Sequence, residues 1–189
     1  GNIQISGMHN FCPSPVEIMI DAPDCYEFTS HRTYDRKRAM DLTFATLENA
    51  ASLGAKYVVL HMGSIPMTRI SPHLHKLLVQ GRGDSRKYVT TKLKLLKKRK
   101  ALARRYLERA VAALELVAGK AEEVGVIVAV ESRSAFEDVP NEEEMIMLMS
   151  KFEGNPWVGY WHDFGHVQRK HNLGLLDHEQ WLATISPHL

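Results

Sequence analysis

VIVAVE, at residues 126–131, is the stretch that decides the fold, because five apolar residues run directly into a carboxylate. A run this apolar is typical of a strand covered on both faces, as in the parallel sheets of α/β proteins. Glu131 closes the run, and a carboxylate in such surroundings is costly to bury without a partner. The stretch therefore predicts a parallel strand that delivers Glu131 to a ligand-binding edge.

Three other apolar runs also end in residues that can ligate a metal, namely His9, His61 and Asp163. The carboxyl ends of parallel strands meet on one face of an α/β barrel or an open α/β sheet, and ligands bind at that face. We therefore predict four parallel strands whose ends carry these residues. The predicted strands lie near residues 3–8, 57–61, 126–131 and 158–163.

Helical periodicity fills the segments between the strands. We predict helices over Arg36–Leu53, over at least Ala101–Val124, after the cap Asn141, and from about Asp177. The order β-loop-α then occurs four times, which is half of a (β/α)8 TIM barrel, and a complete barrel needs about 250 residues. We expect residues 1–189 to be one partial barrel domain, truncated at both ends, with a small open sheet as the alternative.

Two long connections follow predicted strands, Cys12–Arg32 and Ser64–Ser85, and both contain several prolines. Long loops on the ligand face usually shape a substrate pocket or a lid, and we predict that role for both.

The strand ends predict a divalent-metal site. Glu131 and Asp163 offer oxygen, and His9, His61 and His166 offer imidazole nitrogen. Such mixed ligation suits Mn, Zn, Fe or Co, with Mg possible where carboxylates dominate. In the motif DFGH, at residues 163–166, the glycine is expected to let the backbone turn so that His166 returns over the site.

Other polar residues near the strand ends have weaker interpretations. Arg133 lies two residues past Glu131 and is a candidate for binding a substrate phosphate or carboxylate. A salt bridge from Arg133 to Glu137 or Asp138 is the alternative. His162 alternates away from Asp163 and is predicted to be structural, and the histidines of loops and helices are predicted to bind nothing.

The bulk composition excludes several classes of protein. The net charge is +2, only two cysteines are present, and no apolar run approaches the roughly 20 residues of a membrane span. We expect a cytoplasmic protein with no membrane partner.

Residues 82–109 carry 12 of the 24 Lys and Arg. We interpret that segment as a solvated helix face or a contact in a homo-oligomer, with a nucleic-acid contact as the less favoured alternative.

Three motifs together resemble the xylose isomerase-like TIM-barrel superfamily. VVLHMG at residues 58–63 is similar to its LHxG strand end, AVE at 129–131 to its fifth-strand glutamate, and VGYWHDFGH at 158–166 to its sixth strand. The superfamily includes sugar isomerases, ketose and inosose epimerases, and apurinic endonucleases of the endonuclease IV type.

The resemblance implies a metal site but leaves two versions of it open. In epimerase-type members one divalent ion is held by Glu, Asp, His and Glu, and Glu131 and Asp163 match the first two. In the endonuclease type three zinc ions use more histidines, and His9, His61, Glu131, Asp163 and His166 match five ligand positions. Epimerase-type members commonly have Asn after the glutamate, where this chain has Ser132.

We therefore expect a metal-dependent isomerase or epimerase acting on a small-molecule sugar, sugar phosphate or inosose. The metal is expected to polarise a substrate carbonyl, and Glu131 to serve as ligand and as the acid/base for a proton next to that carbonyl. The alternatives are a zinc phosphodiesterase acting on abasic DNA and a barrel without catalytic activity.

Overall fold

The computed structural model of this chain describes residues 3–15 and 24–189. Its strands are β1 (Gly7–His9), β2 (Tyr57–Leu60), β3 (Gly63–Ser64), β4 (Ile127–Glu131), β5 (Asp138–Val139) and β6 (Val158–Trp161). Its helices are α1 (Thr33–Ser52), α2 (Ser71–Val79), α3 (Arg86–Val124), α4 (Glu142–Lys151), α5 (Phe164–Asn172) and α6 (His178–Ile185), and a 3-10 turn, Ser186–His188, follows α6.

Four of these strands form one parallel sheet in the order β1-β2-β4-β6. Val59 pairs with His9 on one side and with Ala129 on the other, and Ala129 pairs with Gly159. Helices lie between successive sheet strands along the chain, which confirms the predicted α/β class and is consistent with a partial barrel of four βα units. β3 and β5 pair separately, antiparallel to each other.

The first strand is shorter than predicted and shifted towards His9. Ile3 is 91% exposed, so burial of its side chain does not hold it in the sheet. The hydrogen bond from Lys56 N to Ser6 O, 2.9 Å, marks where the chain first joins its neighbour. His9 is consequently the last residue of β1 instead of the residue after it.

The two faces of the sheet differ in what covers them. Val58, Leu60, Val128 and Val130 are fully buried and belong to the main hydrophobic core, together with apolar residues of the helices. Val59, the residue between Val58 and Leu60, is also buried but lies outside that core. Since strand side chains alternate, this second face is the one that carries the candidate metal ligands.

Three of the predicted helices are present with nearly the predicted bounds. α1 begins three residues before Arg36. Asn141 caps α4 in a reciprocal capping box with Glu144. Asp177 caps α6 through a 2.8 Å hydrogen bond from Gln180 N to its Oδ1.

α3 is much longer than the 101–124 segment predicted as its minimum. It begins after the cap Ser85 and ends at Gly125, whose φ of 71° is the left-handed conformation that stops a helix. At 1.5 Å per residue its 39 residues span about 58 Å, far more than a five-residue strand. Because Val124 leads into the start of β4, the N-terminal part of α3 projects beyond the carboxyl side of the sheet.

No helix among the described residues has the length and apolarity to cross a bilayer.

The connection 64–85, predicted as a loop, instead contains α2, and α5 was not predicted at all. Pro72 lies in the first turn of α2, where a missing N–H does no harm to the helix. Leu74 and Leu77 of α2 pack with Tyr88 and Leu95 of α3 in a second, smaller hydrophobic cluster. The other long connection, Cys12–Arg32, includes residues 16–23, which lie outside the described part of the chain.

Candidate metal centre

The structure brings the five predicted ligands to one edge of the sheet. His9 ends β1, His61 follows β2, and Glu131 ends β4. Asp163 is the cap of α5 just after β6, and His166 lies in the first turn of that helix. Each of the four parallel strands therefore contributes to a common cluster at its carboxyl end, as the strand-end argument predicted.

Glu131 is the centre of this cluster. Its Oε2 lies 3.0 Å from Nε2 of His9 and 2.8 Å from Nε2 of His61, and its Oε1 lies 3.1 Å from Nδ1 of His166. The side chain of Glu131 is only 5% exposed. A single buried carboxylate thus contacts three imidazoles through both of its oxygens.

The outer nitrogens of His9 and His61 face groups that accept hydrogen bonds. Nδ1 of His9 lies 2.8 Å from the carbonyl oxygen of Asn10, and Nδ1 of His61 lies 2.9 Å from Oδ1 of Asp24. Each Nδ1 must therefore carry the hydrogen, and the Nε2 lone pair of a neutral ring then points at Oε2 of Glu131. In that state an imidazole nitrogen and a carboxylate oxygen, both acceptors, face each other. The contact is favourable only when a proton or a metal ion lies between the two atoms.

Asp163 and His166 are positioned by a helix start rather than by a glycine turn. Oδ1 of Asp163 accepts a 2.7 Å hydrogen bond from His166 N, the usual cap interaction, and Gly165 has an ordinary helical conformation. Ser132 holds both residues. Its Oγ accepts from Asp163 N at 3.0 Å, and its carbonyl oxygen accepts from Nδ1 of His166 at 2.9 Å.

The charges of the cluster shift its pKa values in a consistent direction. Burial favours a higher pKa for Glu131, but hydrogen bonds and charges from His166 and His9 outweigh it and lower the pKa. Burial favours a lower pKa for His9, yet its contacts with Glu131 and Asn10 outweigh that and raise the pKa above 6.5. The contact with Glu131 is the main cause that raises the pKa of His166. Without a metal the cluster is thus an ionised carboxylate among protonatable imidazoles.

The donor set fits a divalent ion. Two groups of side chains each have donor atoms within 4.8 Å of one another, and Glu131 belongs to both. The first group adds His9 and His61, and the second adds Asp163 and His166. Two ligand atoms bound to one ion at about 2.0–2.2 Å, on neighbouring coordination positions, lie about 3 Å apart. The distances from Oε2 of Glu131 to Nε2 of His9 and to Nε2 of His61, 3.0 and 2.8 Å, match that separation. Imidazole nitrogen with carboxylate oxygen suits Zn, Mn or Co.

Arg133 lies beside this cluster but is already engaged. Its Nη2 donates to Oδ2 of Asp24 at 2.7 Å, and its Nε lies 3.8 Å from Oδ2 of Asp138. The alternative pairing with Asp138 is thus present as a long contact. Glu137 instead accepts from the backbone of Ile70 and from Ser71 at the start of α2. Nη1 of Arg133 is buried and has no hydrogen-bond partner among the described residues.

The basic segment of α3 is not solvated throughout. Lys97, Lys98 and Lys100 are exposed, but Arg99 is 3% exposed and donates to both carboxylate oxygens of Glu144 at 2.6 and 2.7 Å. Arg99 also donates to the carbonyls of Phe136 and Asp138, which follow β4. The interpretation as a solvated face does not hold for Arg99, and this part of α3 lies beside the loop that follows the ligand-bearing end of β4.

Asp24 and Ser132 are the contributors that sequence reasoning missed. Asp24 bridges Nδ1 of His61 and Nη2 of Arg133 from a connection with no periodic pattern. Ser132 acts partly through its backbone carbonyl, which any residue possesses. The one available signal was the position of Ser132 directly after Glu131.

A groove of about 890 Å³ lies elsewhere, between α3, α4 and α6. Leu96, Leu107, Met147 and Trp181 are among its lining residues, whereas none of the five candidate ligands lines it. Convergence of donor atoms is a more specific sign of chemistry than volume, so we take the cluster around Glu131 as the candidate site.

The xylose isomerase-like TIM-barrel family model matches residues 2–185 of this chain. No curated protein sequence matches it. Among solved structures, the chain resembles a D-tagatose 3-epimerase-like protein at 18% identity and a TM-score of 0.53, covering 88% of this chain and 50% of that one. It also resembles the 3-keto-D-glucoside 4-epimerase of E. coli at 14% identity and a TM-score of 0.58. That match covers 87% of this chain and 52% of the epimerase.

A third match is a D-allulose 3-epimerase from Methylomonas sp., at 12% identity and a TM-score of 0.58, with 86% of this chain and 46% of that one covered. At these identities the likeness shows the fold alone. The chain spans about half the length of the structures it matches.

Proposed function

The chain belongs to the xylose isomerase-like TIM-barrel family, and we propose that it is part of a divalent-metal-dependent sugar isomerase or epimerase. The reaction class is proton transfer next to a substrate carbonyl, on a small sugar, sugar phosphate or inosose. The observation that carries the proposal is the contact of Glu131 with three imidazoles at the carboxyl ends of the parallel strands. The epimerases among its relatives in fold support it.

Glu131 would hold an ion with His9 and His61 in the first donor group, or with Asp163 and His166 in the second. A bound divalent ion supplies Lewis-acid polarisation of a substrate carbonyl and its neighbouring hydroxyl. The donor chemistry suits Mn, Co or Zn, with Mg as a further candidate because two carboxylates are present.

Glu131 would also accept the proton from the carbon beside the carbonyl. Its lowered pKa keeps the carboxylate ionised at neutral pH, as a ligand and a base both require. His166 Nδ1 lies 3.1 Å from Oε1 of Glu131, so this N–H would help to hold the carboxylate in its ionised form. Arg133, whose side chain is 12% exposed, would bind an anionic or hydroxyl oxygen of the substrate.

The test is solvent hydrogen exchange at the reacting carbon. A panel of ketoses, their phosphates and inososes is incubated in D₂O with the full-length protein and Mn, Co, Zn or Mg. We expect deuterium at the carbon next to the carbonyl, abolished by a chelator and by Glu131→Gln. If no substrate in the panel exchanges with any metal, while the metal binds, the isomerase proposal is wrong.

A zinc phosphodiesterase acting on abasic DNA is the second candidate. It is favoured by the two donor groups that share Glu131, since two-metal sites are common in phosphoryl chemistry. The exposed lysines of α3, Lys97, Lys98 and Lys100, would then contact phosphates.

Neutralising those three lysines separates the two candidates. For an epimerase the triple Lys→Gln variant should exchange sugar protons at the wild-type rate and show no specific affinity for abasic duplex. For a nuclease it should bind abasic duplex more weakly, and each lost phosphate contact should lower the salt slope by about one unit. Arg99 is left intact because its substitution would disturb the fold.

A further inference from the structure

One aromatic side chain lies on the face of the sheet that carries the candidate metal ligands. Trp161 is the last residue of β6 and the register partner of Glu131 on β4. Paired residues of neighbouring parallel strands lie about 4.8 Å apart and direct their side chains to the same face. Since β4 lies between β2 and β6, Trp161 flanks Glu131 on the side opposite to His61.

The same face carries small residues where the indole needs room. The rings of Tyr57 and Trp161 meet with centroids 5.2 Å apart and planes inclined by 31°. Because β4 separates their strands, the rings meet over β4, where the residue on this face is Ala129 and its neighbour on β6 is Gly159. Gly7 pairs with Tyr57, and a Cβ at Gly7 would lie 2.1 Å from Cε2 of the tyrosine. The aromatic pair therefore fills a recess that small side chains leave open.

Trp161 stays accessible although its ring is in contact with another ring. It is 38% exposed, whereas Tyr160, which points to the opposite face, is 3% exposed. Tyr57 covers one face of the indole, so the exposed area belongs to the other face and to the ring edges. An apolar aromatic surface beside a few convergent polar groups is the usual lining of a small-molecule site.

A sugar has a surface that matches an indole. Its hydroxyls project outwards, and its C–H groups form a less polar face that packs on an aromatic ring while the hydroxyls stay free for hydrogen bonds and for a metal. A phosphate group has no such face. An aromatic platform therefore responds to the carbon skeleton of a substrate and not to its charge.

We propose that Trp161 is the platform on which the carbon skeleton of the substrate packs, and that it favours ketohexoses and inososes over short hydroxyketones. This inference rests on the proposed function, in which the carbonyl and its neighbouring hydroxyl lie at the metal beside Glu131. The remaining carbons then extend over β6, whose last residue begins about 4.8 Å from Glu131. Trp161 contributes to binding and takes no part in proton transfer.

The test compares ketohexoses with dihydroxyacetone, a hydroxyketone that offers the metal the same two oxygens but has too little carbon skeleton to cover an indole. Calorimetry measures the affinity of the Zn- or Mg-loaded full-length protein for D-fructose, D-tagatose, an inosose and dihydroxyacetone. Trp161→Leu keeps apolar bulk without a flat face, and Trp161→Phe keeps a smaller flat face. We expect Trp161→Leu to weaken binding of the three larger sugars about tenfold, and Trp161→Phe to weaken it less. Affinity for dihydroxyacetone and for the metal should stay unchanged in both.

Tyr34→Leu, which removes a 68% exposed aromatic ring of α1, is the matched control and should bind every sugar as the wild type does. Circular dichroism identifies the variants that fold. A folded Trp161→Leu variant with wild-type affinity for the larger sugars overturns the proposal, and so does an equal loss of affinity for dihydroxyacetone.

Tryptophan emission decides the matter if Trp161→Leu does not fold. A ketohexose should change the emission of the wild type and not that of Trp161→Phe, and an equal change in both overturns the proposal. If sugar protons exchange in D₂O but Trp161 has no effect on affinity, only the platform is wrong and the proposed function stands. A wild-type protein that binds metal but none of these sugars overturns the proposed function and the platform together.

Discussion

Asp24 is the residue whose substitution most directly tests the metal centre without touching a ligand. Its carboxylate accepts from Nδ1 of His61 and from Nη2 of Arg133, and its side chain is 43% exposed. Loss of such an outer partner lowers metal affinity roughly 10- to 100-fold in other sites. We expect Asp24→Asn to weaken Mn or Zn binding by that factor in calorimetry, in a variant whose circular dichroism spectrum shows that it is folded.

Asp41→Asn, at an exposed position of α1, is the control for this change. Equal metal affinity in the wild type and in Asp24→Asn would mean that His61 is not a ligand, or that its ring is fixed by other contacts.

Protons and metal ions compete for the same nitrogens in the cluster. Raised pKa values on His9 and His166 stabilise the metal-free fold below pH 6.5, and that stabilisation is lost as the pH rises through the folded-state values. The lowered pKa of Glu131 stabilises the fold above pH 4.5, and that stabilisation is lost as the pH falls through its folded-state value.

Metal binding must therefore displace protons and strengthen as the pH rises. We expect calorimetry in buffers of different ionisation enthalpy to show proton release at pH 6.5 that declines by pH 8, with affinity increasing over that interval. Affinity that is constant between pH 5.5 and pH 8 would contradict imidazole ligation.

Among individual residues, the sequence predicted the positions of those whose placement follows from the alternation of side chains along a strand. Glu131 and Asp163 could be placed on one face because each follows a predicted strand, along which side chains alternate between the two faces. Asp24 could not, since its position depends on the path of an irregular connection. Arg133 was identified as a candidate, but its pairing with Asp24 is a long-range contact that no local pattern encodes.

Among the elements, α3 carries the clearest structural test. Arg99 is buried between Glu144 at the start of α4 and two carbonyls that follow β4, so it ties three segments together. Removing one partner of a buried ion pair leaves the other charge uncompensated, which costs about 3–5 kcal/mol. We expect Arg99→Met to lower the free energy of unfolding by that amount in chemical denaturation.

Lys98→Met, at the exposed position next to it, should change the free energy of unfolding by less than about 0.5 kcal/mol. If both variants are equally stable, Arg99 does not hold α3 to the rest of the fold.

The helices that the sequence did not predict share a physical cause. α2 has a proline in its first turn, and α5 buries only Val167 and Lys170, so neither shows a clear apolar stripe. Their stability comes from tertiary contacts, in α2 from the small cluster shared with α3 and in α5 from the cap Asp163. α1 and the second half of α3 were predictable because their apolar periodicity is long.

Across the whole molecule, a metal ion at Glu131 would join strands that are distant in sequence. His9 belongs to β1, His61 follows β2 and Glu131 ends β4, so ligation connects the edge of the sheet to its centre. A ligand that binds only the folded state at 100 times its dissociation constant stabilises it by about 2.7 kcal/mol. For a chain of this size that is a rise in melting temperature of roughly 5–11 °C.

We expect this rise on adding Mn or Zn and its loss with a chelator or with Glu131→Gln. Hydrogen exchange should localise the effect, because β1 pairs with β2 through only three residues. Amides of β1 should therefore gain more protection on metal binding than those of α4, which carries no ligand. If metal binding slows amide exchange in α5 and leaves exchange in β1 unchanged, the ion is held by Asp163 and His166, and His9 is not a ligand.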